Sequence, residues 1–541
     1  MKPSSLKKVF GIISYFPDND SDYHIEMRRE RTRRCKELLL KLDELWSDVD
    51  ILIIAQNWQD FQLPDIKNKT SVFHYGKLGI LGARRELRKR FLDTSYDYLI
   101  MLDDDAMISS DNPQAYMDML DEHPNGVGTL RHNQSPLQLF AISKSVYRQI
   151  DMPDVDAEKG QGFEDDIFVA QCFAKFPDVA FDFPDGIVSE TSFKYLGPGK
   201  CPSTWAKEKK LDWDHMREFT KDMVSVLQNP VVEEVSNSSD TVEKSIDLII
   251  TYVNGSDRQW INDYVKYTRT RNPSAVRFRS WGTLKYLFRG IESYMPFVRN
   301  VILILARPSQ VPSWLNKENV RIVYHDEFIP KQFLPTFNSC TIESFFWNIP
   351  GLTDRVIYFN DDMFPIRHLT EDDFFTGDVP NIKFTEPETY SYRNIFRAQC
   401  RSGMDLVTHA LGLPKFTADK IIRPYHISGS ITKDSMDKIK LLCENSINDT
   451  ITMLRNPKNV NQYIYSYYQY FTDNYTDKSV DYKYYELNDK TIHDITREIS
   501  NGNHRMVCLN DSDKLKDYAR VRYLLQTCFE RKFPNRCKYE I

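Results

Sequence analysis

Two acidic clusters each follow directly on an apolar run in this sequence. In RVIYFNDDMF (355–364) the run VIYF ends in an asparagine and two aspartates, and in YDYLIMLDDDA (96–106) the run ends in three aspartates. β-Branched and aromatic residues with no polar member predict a buried strand. Carboxylate and amide oxygens are the hard ligands that Mg²⁺ and Mn²⁺ prefer, and α/β folds bind ligands at the carboxyl ends of their strands. The sequence therefore predicts two divalent-cation sites, with ligands among Asp103, Asp105, Asn360, Asp361 and Asp362.

The cluster at Asp103–Asp105 lies in a region whose sequence pattern predicts a parallel sheet. Apolar stretches at 8–16 and 50–55 predict strands on either side of a helix over 24–45, and a later strand is predicted at 137–142. Strand, helix and strand in that order favour a parallel α/β arrangement.

A glycine-rich basic segment, KLGILGARRELRKR (77–90), precedes the first acidic strand. Glycine lets a backbone approach a ligand closely, and a helix N-terminus favours anions. Arg84 and Arg85 are therefore candidates for phosphate contacts. An ordinary loop followed by a solvent-facing helix explains the same residues without a ligand.

The block GQGFEDDIF (160–168) carries three acids ahead of an apolar helix predicted over 167–173. Acids at a helix N-terminus are favoured by the helix dipole alone. The same carboxylates, on Glu164, Asp165 and Asp166, also suit a general base that takes a proton from a hydroxyl group.

The polar, serine-rich stretch NPVVEEVSNSSDTVEKS (229–245) has the composition of a linker between domains. The predicted organisation is a first domain at 1–228, a linker at 229–245 and a second domain at 246–541. The predicted elements of the second domain are strands at 246–253, 301–305 and 320–324, a helix at 284–294, a helical insertion at 430–475 and a basic helix within 513–541. The fold class is therefore α/β, with two Rossmann-like domains.

The bulk composition excludes several classes of protein. A net charge of −6 over 541 residues gives no sign of a nucleic-acid-binding protein. The nine cysteines are scattered without a CxxC pair, which argues against a zinc site and for free thiols in a reducing compartment. No stretch approaches the roughly 20 apolar residues of a membrane span, so we expect a cytoplasmic protein with at most peripheral contact at the inner membrane face.

The order of first strand, glycine-rich basic turn, acidic strand and later acid cluster resembles the GT-A glycosyltransferases over roughly residues 8–225. The resemblance implies that Asp103 and Asp105 hold a metal and the donor diphosphate, and one of the pair can face the ribose or a water. Asp104, which lies between them, is a further candidate for donor binding. It also implies that Asp165 or Glu164 deprotonates the acceptor in an inverting reaction, and Asp165 is the favoured base. His215 is a guess for a third metal ligand.

Four blocks in the second domain resemble the Stealth family of sugar-1-phosphate transferases, both in their order along the chain and in their amino-acid sequence. They are IDLIITYVNGSD (246–257), the region from WGTLKYLFRG to RVIYFNDDMF (281–364), RPYHISGSITKDSM (423–436) and CLND (508–511) with the ending FPNRCKYE. The resemblance covers about residues 245–541. It implies that Asn360, Asp361 and Asp362 hold the metal of a second site, which Asn510 and Asp511 complete.

The Stealth resemblance also implies roles around the donor and the acceptor. Asn254 and Asp257 are expected to bind or orient the donor, and Arg279 and Arg289 to clamp its phosphates. His426 is the expected base, since histidine titrates near neutral pH.

Some of these assignments have alternatives. His325 is a weaker candidate for the base, and Ser428 stands where the family usually has a proline two residues after the histidine. Asn338, Ser339 and Glu343 are expected in the acceptor pocket; a helix cap followed by a helix face accounts for them equally well.

The two resemblances together predict a bifunctional enzyme of bacterial capsule or cell-wall polysaccharide synthesis. The first domain would transfer a sugar from a nucleotide-sugar donor. The second would transfer a hexose-1-phosphate from a UDP-sugar to an acceptor hydroxyl, with Mg²⁺ or Mn²⁺, releasing UMP and forming a phosphodiester. The expected acceptor is a saccharide or a lipid-linked oligosaccharide. Two alternatives stay open: that the first domain only binds the acceptor, or that the whole chain is a scaffold whose acid clusters are structural.

Overall fold

The computed structural model of the chain describes residues 6–16, 22–58, 61–104, 106–129, 139–153, 164–182, 187–191, 213–231, 246–269, 278–416 and 419–541. The chain divides into two compact units, Met1–Gln228 and Asn229–Ile541. Within the described ranges no helix combines the length and the apolar character needed to span a bilayer.

The first unit contains a seven-stranded sheet and a separate two-stranded pair. Its strands are β1 (Lys8–Tyr15), β2 (Asp50–Gln56), β3 (Thr70–Tyr75), β4 (Tyr98–Asp103), β5 (Ala106–Ser110), β6 (Val127–Thr129), β7 (Phe140–Ser143), β8 (Ala180–Asp182) and β9 (Ile187–Thr191). Its helices are α1 (Asp22–Trp46), α2 (Gly79–Leu92), α3 (Pro113–Glu122), α4 (Lys144–Tyr147), α5 (Glu164–Lys175) and α6 (Trp213–Gln228).

The sheet order is β3-β2-β1-β4-β7-β6-β8, and the first four strands are parallel. Alternate residues of β2 feed two apolar cores: Ile51 and Ile53 pack with the leucines of α1, while Leu52 and Ile54 pack with α2. This alternation is the period-2 pattern of a strand that is covered on both faces. The predicted parallel α/β class is confirmed for this unit.

The second unit has a five-stranded sheet, a three-stranded sheet and two short pairs. Its strands are β10 (Ile246–Thr251), β11 (Val298–Leu305), β12 (Arg321–Tyr324), β13 (Arg355–Asn360), β14 (Met363–Pro365), β15 (Phe375–Thr376), β16 (Val379–Pro380), β17 (Glu388–Thr389), β18 (Lys420–Ile421), β19 (Gly429–Thr432), β20 (Tyr482–Leu487) and β21 (Met506–Asp511). Its helices are α7 (Arg258–Thr268), α8 (Leu284–Tyr294), α9 (His325–Phe328), α10 (Ser339–Ser344), α11 (Ile395–Ala410), α12 (Lys433–Asn448), α13 (Tyr463–Phe471), α14 (Ile492–Asn501) and α15 (Tyr518–Lys532).

The main sheet of this unit has the order β12-β11-β10-β13-β19. Four strands are parallel and β19 closes the edge antiparallel to β13. The helical insertion predicted over 430–475 consists mostly of α12 and α13. Its first residues instead form β19, because Ile431 pairs with Val356 and is buried in the sheet core.

The smaller sheet fixes the course of the chain after β13. β14 pairs antiparallel with β21, and β20 pairs parallel with β21. A Cβ added to Gly290 on α8 would lie 2.5 Å from the Pro365 carbonyl oxygen, so only glycine allows the helix to lie this close to β14. The turn between β13 and β14 is therefore held from two sides.

Candidate active site

The second acidic cluster lies at the carboxyl ends of the two central strands of the larger sheet. β10 and β13 run parallel with Thr251 opposite Asn360, so both strands end at the same level. Asn360, Asp361 and Asp362 line a cavity of about 1370 Å³ at this edge. Asn254, which follows β10, lines the same cavity.

The structure brings the CLND block beside this cluster. The backbone N–H of Leu509 donates to the carbonyl oxygen of Asp362 at 2.9 Å, and Met363 lies opposite Cys508 in the β14–β21 ladder. Asn510 and Asp511 therefore line the same cavity. The two blocks are far apart in sequence, and a shared β ladder joins them.

The two aspartates differ in their surroundings. Desolvation by the surrounding cavity wall raises the pKa of Asp361 to about 6, although part of the Asp361 surface is exposed to the cavity. Burial and the neighbouring Asp361 carboxylate raise the pKa of Asp362 to about 7. The Oδ1 atom of Asp362 is buried and has no hydrogen-bond partner among the described residues. A buried carboxylate oxygen is costly unless something compensates it, so a hard divalent cation fits this position.

Asp511 is already engaged by a cation. Its carboxylate accepts two hydrogen bonds from the Arg279 guanidinium and a third from the Trp281 indole N–H at 3.2 Å. Both Arg279 and Asp511 line the cavity. Arg279 is thus held at the cavity wall by Asp511, and Asp511 has less capacity left for a metal than Asp361 or Asp362.

His426 lies in the same cavity. Its Nδ1 atom is 3.2 Å from the Tyr463 hydroxyl. Burial, with Arg455 and Arg423 nearby, lowers the pKa of His426 to about 4, so the imidazole is neutral near pH 7. In the tautomer whose Nδ1–H donates to the Tyr463 hydroxyl, Nε2 is the nitrogen that can accept a proton. His325 also lines the cavity, but burial lowers its pKa to about 3.

Three arginines that the sequence reasoning left out line the cavity as well. Arg397 and Arg423 both pair with Glu388. Arg455 is exposed, hydrogen-bonds the Ser339 hydroxyl at 2.6 Å and forms no ion pair within the described part of the chain. Arg423 opens the RPYHISGS block and could have been found there, whereas Arg455 follows α12 in a loop without any motif.

Arg289 lies elsewhere. It does not line the cavity; its guanidinium donates to Glu540 at 2.6 and 2.9 Å and to the Phe533 carbonyl oxygen at 2.5 Å. Its side chain and that of Glu540 are 6% and 5% exposed. Arg289 therefore ties α8 to the last residues of the chain instead of binding a phosphate.

Replacing Arg289 by alanine is expected to lower the free energy of unfolding by about 3–5 kcal/mol, because a buried Glu540 carboxylate loses its partner. Urea unfolding measures the change. The matched control is Lys285→Ala on the same helix. Its partner Glu530 is half-exposed, so this substitution should cost at most about 1 kcal/mol. Equal effects of the two substitutions would contradict the structural role.

Two other predicted residues act as helix caps. Asn338 accepts a hydrogen bond from the Cys340 N–H at 3.1 Å and is fully buried, and Asp257 accepts from the Gln259 N–H at 3.0 Å. Neither lines the cavity. Ser339 and Glu343 do line it.

Steric crowding explains why a glycine stands at position 255, in the block 246–257. A Cβ there would lie 1.8 Å from the Phe278 carbonyl oxygen, so the glycine permits a close backbone contact. The block 246–257 therefore contributes its strand and Asn254 to the cavity, while Gly255 and Asp257 shape the chain around it.

In the first unit, Asp103 ends β4 and lies 3.4 Å from the Arg84 guanidinium. Asp104 is buried: its carboxylate accepts from the Ser14 hydroxyl at 2.6 Å and pairs with Arg31 at 3.1 Å. Asp104 thus ties β4 to β1 and α1.

Asp105 lies outside the described residues, as do the side chains of Glu164 and His215. Arg85 follows Arg84 on α2.

Asp166 near the start of α5 has a perturbed carboxyl group. Burial and the neighbouring Asp165 raise the pKa of Asp166 to about 7, and Arg84 opposes this shift. Arg84 thus acts electrostatically on Asp166 and contacts Asp103. The sequence favours Asp165 as the base, whereas the surroundings perturb Asp166, through burial and through the charge of Asp165 itself.

Asp166→Asn is expected to stabilise the protein by an amount that grows with pH. The folded chain holds the Asp166 proton more tightly than the unfolded chain does, so wild-type stability is lost as the pH rises from about 4 to about 7. Asparagine does not titrate, and the gain should reach about 2–4 kcal/mol above pH 7. Denaturation at several pH values measures it. The exposed Asp178 provides the control Asp178→Asn, which should show no such trend; a pH-independent gain for Asp166→Asn would refute the explanation.

Comparison with known proteins supports the predicted resemblance of the second unit. Residues 277–382 match the family model "Stealth protein CR2, conserved region 2". The second unit, called the Stealth half below because of this similarity, resembles the Stealth proteins. The matched residues include β13 and the Asn360–Asp362 cluster, so the predicted resemblance is confirmed.

Relatives of the Stealth half come from several bacteria. The chain is 29% identical to the exopolysaccharide phosphotransferase cps2G of Lactiplantibacillus plantarum, over 54% of this chain and 96% of the relative. It is 25% identical to the capsular polysaccharide phosphotransferase WcwK of Streptococcus pneumoniae, over 55% and 98%. It is 27% identical to the receptor polysaccharide phosphotransferase WefC of Streptococcus oralis, over 55% and 99%. These proteins are about the size of the Stealth half.

Solved structures overlap with the chain only loosely. Residues 1–349 of TarS from S. aureus give a TM-score of 0.25 at 12% identity, covering 41% of this chain and 71% of that one. The glycosyltransferase GlyE of Streptococcus pneumoniae gives 0.24 at 11% identity, covering 59% and 95%. TM-scores this low do not establish a shared fold, and the α/β class rests on the strand orders given above.

Proposed function

We propose that the Stealth half transfers a sugar-1-phosphate from a nucleotide-sugar to an acceptor hydroxyl in the synthesis of a bacterial polysaccharide. The observation that carries the proposal is the convergence on one cavity of the Asn360–Asp362 cluster, the Asn510–Asp511 pair and His426. The phosphotransferase names of the relatives support the reaction class.

The residues that line the cavity would have separate roles in metal binding and in phosphate binding. Asn360, Asp361 and Asp362 would hold Mg²⁺ or Mn²⁺, which supplies charge neutralisation at the donor pyrophosphate. Arg279 and Arg423 lie where they can contact the donor phosphates.

His426 would act on the acceptor. Its Nε2 takes the proton of the acceptor hydroxyl as the oxygen attacks the phosphorus that carries the sugar. The bond from that phosphorus to the oxygen of the nucleoside monophosphate breaks, and the leaving group departs as UMP when the donor is a UDP-sugar. The product is a phosphodiester.

Identification of the released nucleotide tests the proposal. The full chain is incubated with UDP-sugars, Mg²⁺ or Mn²⁺ and saccharide acceptors, and the nucleotide is separated by ion-exchange chromatography. Nucleoside monophosphate that appears only with an acceptor supports sugar-phosphate transfer. Its absence with every donor, while the donors are shown to bind, would refute it.

For the first unit we propose glycosyl transfer by a GT-A-type site, which would make the chain bifunctional. The favouring observation is that Arg84 links Asp103 at the end of β4 to Asp166 at the start of α5. Release of nucleoside diphosphate reports this reaction, and Asp103→Ala should remove it while leaving monophosphate release intact. If no diphosphate is released, glycosyl transfer by the first unit is refuted, and an acceptor-binding module becomes the favoured alternative.

A further inference from the structure

Three side chains from distant parts of the second unit meet beside the cavity. Asp362 follows β13, His426 precedes β19 and Cys508 lies on β21. One carboxylate oxygen, one ring nitrogen and the Sγ atom of these residues lie within 4.8 Å of one another. Together they offer an oxygen, a nitrogen and a sulfur donor.

Neighbouring residues hold Cys508 and His426 in place beside Asp362. Cys508 is fully buried on a strand and lies opposite Met363, one residue after Asp362. The His426 ring is held through Nδ1 by the Tyr463 hydroxyl, which leaves Nε2 as its ligand atom. The Cys508 thiol is close enough to the Asp362 carboxyl group to act on its pKa as a hydrogen-bond donor, while the buried Oδ1 atom of Asp362 meets no donor by geometry among the described residues.

The donor set is unlike that of a magnesium site. Thiolate sulfur is a poor ligand for Mg²⁺ or Mn²⁺, whereas Zn²⁺ binds sulfur, nitrogen and oxygen together. Ligand atoms about 2.0–2.3 Å from a tetrahedral ion lie about 3.3–3.8 Å apart. A contraction of about 1 Å would therefore close these three residues around an ion, with a fourth position left for water or a phosphate oxygen.

We propose that Asp362, His426 and Cys508 form a binding site for a thiophilic divalent cation such as Zn²⁺, and that its occupation blocks the transfer reaction. Binding forms a metal–sulfur bond, and the Cys508 proton goes to water. Blocking follows because the ion takes Asp362 from the Mg²⁺ site and His426 from its role as base. This second part rests on the proposed function, whereas the binding site itself does not.

Cobalt binding tests the site without any assay of activity. Co²⁺ is titrated into the full, zinc-free chain, and the near-ultraviolet thiolate-to-cobalt charge-transfer band is recorded. We expect one such band, displaced by one equivalent of Zn²⁺. Cys508→Ser should abolish it and lower Co²⁺ affinity by at least about 100-fold, since losing a ligand costs more than losing an outer partner of one. The matched control is Cys443→Ser on α12, a buried cysteine that is no part of this three-residue cluster, which should keep the band.

Two results would overturn the site: no band in the wild-type chain, or a band that persists in Cys508→Ser. His426→Gln is the second variant, should Cys508→Ser fail to fold, and is expected to weaken Co²⁺ binding by at least about tenfold.

Inhibition is a separate measurement. Zn²⁺ should suppress Mg²⁺-supported monophosphate release in the wild type, and Cys508→Ser should be at least about tenfold less sensitive relative to its own zinc-free rate. Equal sensitivity would refute the blocking role. If no monophosphate is released with any metal, the proposed function fails, while the cobalt band is judged on its own.

Discussion

Asp362→Ala is expected to lower the rate of nucleoside monophosphate release by about 10³-fold or more. Charge stabilisation by a metal ion contributes several kcal/mol to such a reaction, and each 1.36 kcal/mol is a tenfold change in rate. The buried Oδ1 atom of Asp362 has no hydrogen-bond partner among the described residues. The measurement is kcat under saturating donor, with chelation of the wild type in parallel.

The controls for Asp362→Ala separate loss of chemistry from loss of fold. Asp372→Ala removes an exposed carboxylate outside the cavity and should leave the rate within about twofold, since surface substitutions of this kind are usually near neutral. Chelated wild type should regain its rate on addition of Mg²⁺ or Mn²⁺, whereas Asp362→Ala should not. Full turnover after chelation would rule out a metal at this cluster.

His426→Gln is expected to reduce kcat by about 10²–10⁴-fold, the usual contribution of a general base. The donor KM should change little, because the imidazole acts on the acceptor hydroxyl. Glutamine keeps a side chain of similar reach but accepts no proton at neutral pH.

Tyr463→Phe separates the orientation of the His426 ring from its role as a proton acceptor. Removing this hydroxyl leaves the ring in place without its hydrogen bond at Nδ1. We expect an intermediate loss, smaller than that of His426→Gln, because only the orientation of the ring is impaired. An unchanged kcat in His426→Gln would transfer the role of base to another group, and Glu343 on the cavity wall, whose pKa burial raises, would be the first to examine.

The parts of the fold that depend on local pattern could be predicted from sequence. The run of apolar residues before Asn360 and the strand–helix–strand order near the N-terminus indicated parallel sheets, and the α/β class is confirmed. β19 could not be recognised, because Gly429–Thr432 is a strand only through its pairing with β13. Local propensity carries no information about a partner that lies far away in sequence.

In the candidate site too, residues within motifs could be predicted from sequence, whereas residues whose roles depend on distant partners could not. Asp361, Asp362 and His426 stood out through motifs, and the structure places them in one cavity. Arg289 and Asn338 lie in similar motifs but bind interior partners, which no spacing rule reveals. Arg455 lies in a loop outside any motif, and Cys508 opens the CLND block without any sign in the sequence that its thiol lies beside Asp362 and His426.

The β14–β21 ladder has a consequence for synthesis of the protein on the ribosome. Asp362 emerges long before Cys508, Asn510 and Asp511, and α8 emerges long before Glu540, which neutralises Arg289. A nascent chain that stops short of β21 therefore has half of a cavity wall and an unpaired β14. Such long-range closure is slow compared with local helix formation, so the second unit matures only after most of its residues have left the exit tunnel.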